Sequence, residues 1–210
     1  RETGARVHVT RISSAAGLEM ISAARAAGIA VTCDVSAHHL HLCDRDIGFF
    51  DPQARLDPPL RAEADREALR RGLADGAINA LCSDHTPVDD DGKLLPFGEA
   101  EPGVTGLELL LPLVLKWARE DGVPLALALS RVGADAAAIL GIEGGRLAAG
   151  TRADLFVFDP DEPWTVSHES LLSQGKHTPY LGREVLGRVR ATVVDGHLAY
   201  ECRSSRARAE

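Results

Sequence analysis

Short runs of β-branched and aliphatic residues alternate with segments whose apolar positions recur every three or four residues. That alternation predicts a parallel α/β fold. Residues 7–12 (VHVTRI) form a β-type run, after which Ser13 and Ser14 offer N-caps to a helix over 15–27. In that helix Leu18, Met20 and Ile21 recur at helical spacing until Gly28 stops it. Residues 29–35 (IAVTCDV) are a near-continuous apolar run of the kind a parallel sheet buries on both faces. A loop rich in His and acid follows, then a short extended piece at 54–60, a helix over 63–73 closed by Asp75-Gly76, and a strand over 78–83. Residues 84–103 make a loop of about twenty residues, polar and broken by Pro and Gly; loops that long inside a domain are usually functional or disordered. Helices are predicted over 106–120, 125–131 and 134–140.

The pattern changes near Gly141, where a Gly-rich stretch leads into short strands at 155–158, 189–194 and 197–201. Asp195-Gly196 between the last two is a hairpin signal. Residues 1–140 therefore read as an α/β unit, 141–202 as an all-β appendage, and 203–210 as a solvated, disordered tail. An appendage of about 60 residues is near the lower limit for an independent core, so it is expected to pack on the α/β unit or on sequence outside this chain. The first residues, RETGARVHV, read as the end of a helix running into a strand with no initiator Met, as in a piece of something longer.

Charge narrows the classes of partner. Among 210 residues, 31 acids stand against 23 Lys plus Arg, a net charge of −8, so nucleic acid and anionic membrane surfaces are not expected partners. No stretch approaches the ~20 apolar residues of a membrane span, no signal-peptide pattern opens the chain, and the reading is cytoplasmic. Cys33, Cys43, Cys82 and Cys202 show no CxxC spacing and read as buried free thiols.

In parallel α/β proteins the residues just beyond the carboxyl ends of strands reach the ligand. Three such ends carry chemistry here: Ser36-Ala37-His38-His39-Leu40-His41, Asp57, and Ser83-Asp84-His85. Imidazoles and a carboxylate converging on one mouth are what a catalytic divalent metal needs. Asp89-Asp90-Asp91-Gly92 lacks the spacing and distal Glu of a calcium loop and reads as a solvated turn. The glycines of 141–150 follow a helix and lack the order of a dinucleotide site.

Six motifs in order, CDVSAHHLHL, DPPLR, LCSDHTP, EPGVTGLE, GTRADLFVFDP and QGKHTPYLGREVLGRV, closely resemble the C-terminal half of class I dihydroorotases, zinc-dependent cyclic amidohydrolases of pyrimidine biosynthesis. The likeness runs from about Val7 to Tyr200, and hydantoinases and allantoinases share the same barrel. It implies strands five to eight of a metal-dependent-hydrolase (βα)8 TIM barrel plus part of a small C-terminal β-sandwich. It implies zinc, held in part by His39 and by Asp84, with Asp84 also acting as general base and acid. Pro102 and Gly103 fall where the family's backbone meets substrate, and His177 falls in a structural motif. The HxH of strand one belongs to the half that such proteins carry before this region, so at most two of the usual ligands are here. This chain alone is expected to be inactive.

Three positions depart from that pattern. Arg11 stands where the strand-five His ligand is expected, and a guanidinium has no lone pair for zinc and repels it. His8, three residues earlier on a strand, faces the other way and lies roughly ~10 Å off. Asp57 replaces an Asn amide beside what are anionic substrates, and Val88 replaces a substrate-binding His. An anion clamp is the alternative role for Arg11, at the cost of a metal ligand. The resemblance thus carries two readings: an enzyme interconverting N-carbamoyl-L-aspartate and dihydroorotate through zinc hydroxide, or a non-catalytic dihydroorotase-like chain that supports assembly of aspartate carbamoyltransferase. A hydantoinase-like enzyme is a weaker third. The full-length protein is expected to be a homo-oligomer.

Overall fold

The computed structural model describes residues 3–202; the tail expected at 203–210 lies outside them. Three parallel strands, β1 (Val7–Val9), β2 (Val31–Ser36) and β3 (Ala80–Cys82), form a sheet in the order β1-β2-β3. Helix α1 (Ala15–Ala26) links the first pair, and α2 (Glu63–Asp75) lies in the connection between the second. Ser14 caps α1 by accepting from the Gly17 N–H at 3.1 Å, and Gly76 closes α2 in the left-handed region at φ 88°. The two helices pack closely at Gly72, where a Cβ would stand 2.6 Å from Leu18 Cδ2.

Strand β2 is the centre of this sheet. Cys33, Val35 and Ser36 are fully buried, and Asp34 is nearly so. That is the two-sided burial expected of its apolar run. The four barrel strands expected from the resemblance are corrected to three in the paired sheet. Segment 54–60 is a 3-10 turn (Pro52–Ala54) followed by irregular chain with Pro58 and Pro59, and Asp34 of β2 pairs directly with Ala80 of β3. Adjacent prolines have no N–H for a ladder, which is why this piece forms no strand.

Helices α3 (Leu110–Glu120), α4 (Leu125–Ser130) and α5 (Ala134–Leu140) follow, α3 starting four residues later than its apolar spacing suggests. The second sheet is antiparallel, β4 (Leu155–Thr165), β5 (Glu184–Val194) and β6 (His197–Glu201), with the expected turn at Asp195 and Gly196, both at positive φ. Within it Trp164 Nε1 donates to the Gly187 carbonyl at 2.9 Å, and the sheet rests on α3, where a Cβ on Gly187 would lie 2.4 Å from Leu115 Cδ1. The core is continuous across both sheets, taking in Leu69, Leu73, Leu113 and Trp117 as well as Val166, Leu171 and Tyr180. All four cysteines are free thiols.

The turn after β2 is pinned from two sides. The buried Arg70 guanidinium donates to the Leu40 carbonyl at 2.9 Å while its other nitrogens hold Asp121 at 2.6 and 3.0 Å. His41 donates from Nε2 to the Leu113 carbonyl at 2.8 Å, and burial, assisted by the Lys116 charge, pushes its pKa down to about 4. The folded protein keeps this ring neutral while the unfolded chain protonates it near 6.5. The unfolded state therefore binds more protons between these values, and stability falls as pH drops from about 6.5 towards 4. His41's share of the loss in a urea-denaturation series is expected to be on the order of 3 kcal/mol, and His41→Gln is expected to make the profile shallower in that window, the buried His38 and His39 keeping the rest. An unchanged profile in the variant would contradict this.

Candidate functional site

Beyond β1 the chain turns sharply, and Arg11 adopts a left-handed backbone at φ 55°; two residues beyond β3, Asp84 does the same at φ 49°. Each such residue other than Gly costs roughly 1–2 kcal/mol, and it persists where surrounding bonds over-determine it. The two side chains meet. Arg11 Nη1 donates to Asp84 Oδ1 at 3.1 Å and to the Asp57 carbonyl at 2.9 Å. The Asp84 side chain is only 4% exposed, and its bond and charge push the Arg11 pKa further up.

Asp34, which the sequence reading passed over, fixes the turn. Its Oδ1 accepts from the Arg11 backbone N–H at 2.7 Å, from Thr10 Oγ1 at 3.2 Å and from the Cys82 thiol at 3.3 Å. Its Oδ2 takes His8 Nε2 at 2.8 Å, and His8 Nδ1 lies 2.8 Å from Thr32 Oγ1. His8 is thereby committed to Thr32 and Asp34. Burial and the neighbouring Asp34 push the Cys82 thiol far up, so it stays protonated. The signal for Asp34 was a lone acid inside a β-branched run.

The histidines after β2 take different roles. His39 is 2% exposed, donates from Nε2 to the Pro59 carbonyl at 3.3 Å, and has no hydrogen-bond partner on Nδ1 among the described residues. Burial lowers its pKa, so that nitrogen carries a lone pair. His38 is wholly buried, stacked on Tyr180 at 5.8 Å, and its pKa is pushed down to about 4 by burial. It is a packed core ring, with Gly106 so close that a Cβ there would sit 2.7 Å from Nε2. His85 Nδ1 accepts from the Gly106 and Leu107 N–H groups at 3.2 and 3.3 Å and so ties down the loop.

A cavity of about 330 Å³ brings Arg11, Asp57, Asp84, Pro102 and Gly103 together on one wall set. His39 lies close enough to feel the Asp84 charge. Val88 is elsewhere: it is 7% exposed and packs on the turn at Gly92. Zinc would have to compete with Arg11 for Asp84 among the residues present. The carboxylate best placed to hold it is already paired with a permanent cation, and no three His, Cys, Asp or Glu side chains among the described residues converge on a point that could hold a metal ion.

The parallel α/β layer brings residues from beyond its strand ends onto one polar cavity, where such layers hold ligands. A family model described as the amidohydrolase family matches residues 2–200, and the chain belongs to that family. It is 42% identical over 200 residues to a dihydroorotase-like protein of Pseudomonas aeruginosa, covering 95% of this chain and 47% of that protein. It is 39% identical over 198 residues to a dihydroorotase of Geobacter sp. strain M21, covering 94% and 47%. Among solved structures, an L-hydantoinase (dihydropyrimidinase) of Arthrobacter aurescens matches with a TM-score of 0.87 at 29% identity, over 95% of this chain and 46% of that one. The fold is thus of the TIM-barrel class, and the chain spans about half the length of the relatives it matches.

Gly103 is the tightest point of the cavity wall, with φ 127° and the Thr86 carbonyl 2.5 Å from where a Cβ would stand. Gly103→Ala is expected to cost about 2–3 kcal/mol in urea denaturation. Gly122→Ala, also at positive φ but in open space, is expected to cost only about 1 kcal/mol. Equal losses would show that the close approach carries no weight.

Proposed function

We propose that this chain is part of a dihydroorotase-like protein whose metal site has given way to an ion pair, and that the protein acts as a scaffold supporting assembly of aspartate carbamoyltransferase. The observation that carries the reading is Arg11 Nη1 on Asp84 Oδ1 at 3.1 Å. Asp84 is the position the resemblance makes general base and zinc ligand, and Arg11 is the position it gives to a His ligand. A fixed cation supplies Asp84's counter-charge without a metal, and the Asp34 bonds to the Arg11 turn show that the arrangement is braced. A binding role needs surface and fold, whereas hydrolysis needs every ligand. In this reading the strands here complete a (βα)8 barrel and β-sandwich with the rest of a cytoplasmic, homo-oligomeric protein, residues 1–140 forming the barrel part.

The competing reading is an active dihydroorotase acting on carbamoyl aspartate and dihydroorotate. It is favoured by Nδ1 of His39 and Oδ2 of Asp84, which have no hydrogen-bond partner among the described residues, and by relatives named dihydroorotase. It needs Arg11, whose side chain is 38% exposed, to swing clear of Asp84. The likeness to solved hydantoinases supports hydantoin as a further substrate to assay.

Zinc content and hydrolysis of dihydroorotate and hydantoin, measured together on the full-length protein, separate these readings. The expected result is no stoichiometric zinc and no turnover, with Arg11→His raising zinc affinity at least about tenfold. Stoichiometric zinc with turnover that Asp84→Ala abolishes would overturn the scaffold reading.

A further inference from the structure

The connections that follow β2 and β3 bring apolar residues together at the surface instead of in the core. Phe49 is 98% and Phe50 68% exposed, with ring centroids 6.3 Å apart, and Phe50 lies 6.1 Å from Phe97. Leu94 and Leu95, beside Phe97 in sequence, are 78% and 50% exposed. Single exposed apolar side chains are ordinary; a contiguous aromatic cluster marks a surface that is covered in use.

The cluster is braced from beneath. The Arg55 guanidinium lies 5.9 Å over the Phe97 ring and donates to the Phe97 carbonyl. Lys93, only 5% exposed, donates to the carbonyls of Arg55 at 3.2 Å and Glu101 at 2.5 Å. Phe50 itself holds a left-handed backbone at φ 56°, an uncommon state for a bulky residue. Such strain at an exposed aromatic is stored where a surface is shaped in advance.

The rim is acidic. Asp44, Asp46 and Asp51 are exposed on the first connection, where Arg45 is paired with Glu63 at 2.9 Å and Arg55 lies half-buried over Phe97. Asp89, Asp90, Asp91 and Glu99 are exposed on the second, whose Lys93 is buried. A second copy docking through this same face would set like charge against like, and phosphates of lipid or nucleic acid are repelled in the same way. A protein segment with an apolar face flanked by Lys or Arg complements both the rings and the rim.

We propose that the Phe49, Phe50 and Phe97 cluster with its acidic rim is a docking surface for a basic, apolar segment of a partner protein. This surface shares no residue with the Arg11–Asp84 pair and stands or falls apart from the scaffold reading. The test titrates the full-length protein into a fluorescein-labelled helical peptide of Leu and Lys, and into its Leu and Glu counterpart. The Leu-Lys peptide is expected to bind and the Leu-Glu peptide not. Phe49→Ser with Phe50→Ser is expected to weaken binding at least about tenfold with an unchanged melting midpoint, since both rings are exposed. Asp89→Asn, Asp90→Asn and Asp91→Asn together, which leave the rings alone, are expected to weaken it and to reduce its salt dependence. Wild-type affinity in both variants, equal affinity for the two peptides, or no binding to either overturns the proposal. Self-association that the Phe variant abolishes also overturns it, in favour of a second copy.

Discussion

Arg11 is charged at any accessible pH, and its guanidinium lies against a carboxylate that is almost wholly buried. A buried carboxylate needs a counter-charge, since taking it out of water unpaired costs several kcal/mol. In a metal-dependent hydrolase a cation bound from solution would serve; here the polypeptide supplies one. Asp84 Oδ1 is occupied, and what the cavity can do follows from that.

The architecture around the pair keeps it in place. Asp34, on the central strand, binds the Arg11 backbone with one oxygen and His8 with the other, so a single acid sets the turn that carries Arg11 and occupies the His8 ring. β2 places that acid by being buried on both faces, with β1 and β3 in parallel register on either side. Arg70 and His41 lock the following turn to α3, which leaves His39 beside the cavity and His38 in the core. The cavity wall closes at Gly103 against Thr86, and the core packs Gly106 against His38, where any side chain would collide.

Much of this was legible in the sequence, for reasons that can be named. β2 announced itself by an unbroken apolar run, α1 by Ser14 and its helical spacing, and the last hairpin by Asp195-Gly196. Motif order brought Arg11, Asp57, Asp84, Pro102 and Gly103 onto one list, and the cavity brings them together. What was not legible depended on tertiary partners. Segment 54–60 looked extended, and only its prolines and the direct pairing of β2 with β3 show why it forms no strand. β4 and β5 each run to 11 residues, beyond the 155–158 and 189–194 expected, through Pro160, Pro163 and Gly187, with register shifts between Val157 and Phe158 and between Asp159 and Pro163. The contact between Arg11 and Asp84, 73 positions apart, has no local signal, and neither does the role of Asp34.

The most direct measurement is a double-mutant cycle on the full-length protein, with Arg11→Met, Asp84→Asn and both together, read by urea denaturation. The account expects a favourable coupling of about 1–3 kcal/mol, with Arg11→Met alone the costlier change because it leaves Asp84 buried without a counter-charge. Additive losses, with no coupling between the two positions, would contradict it and free Asp84 for other chemistry.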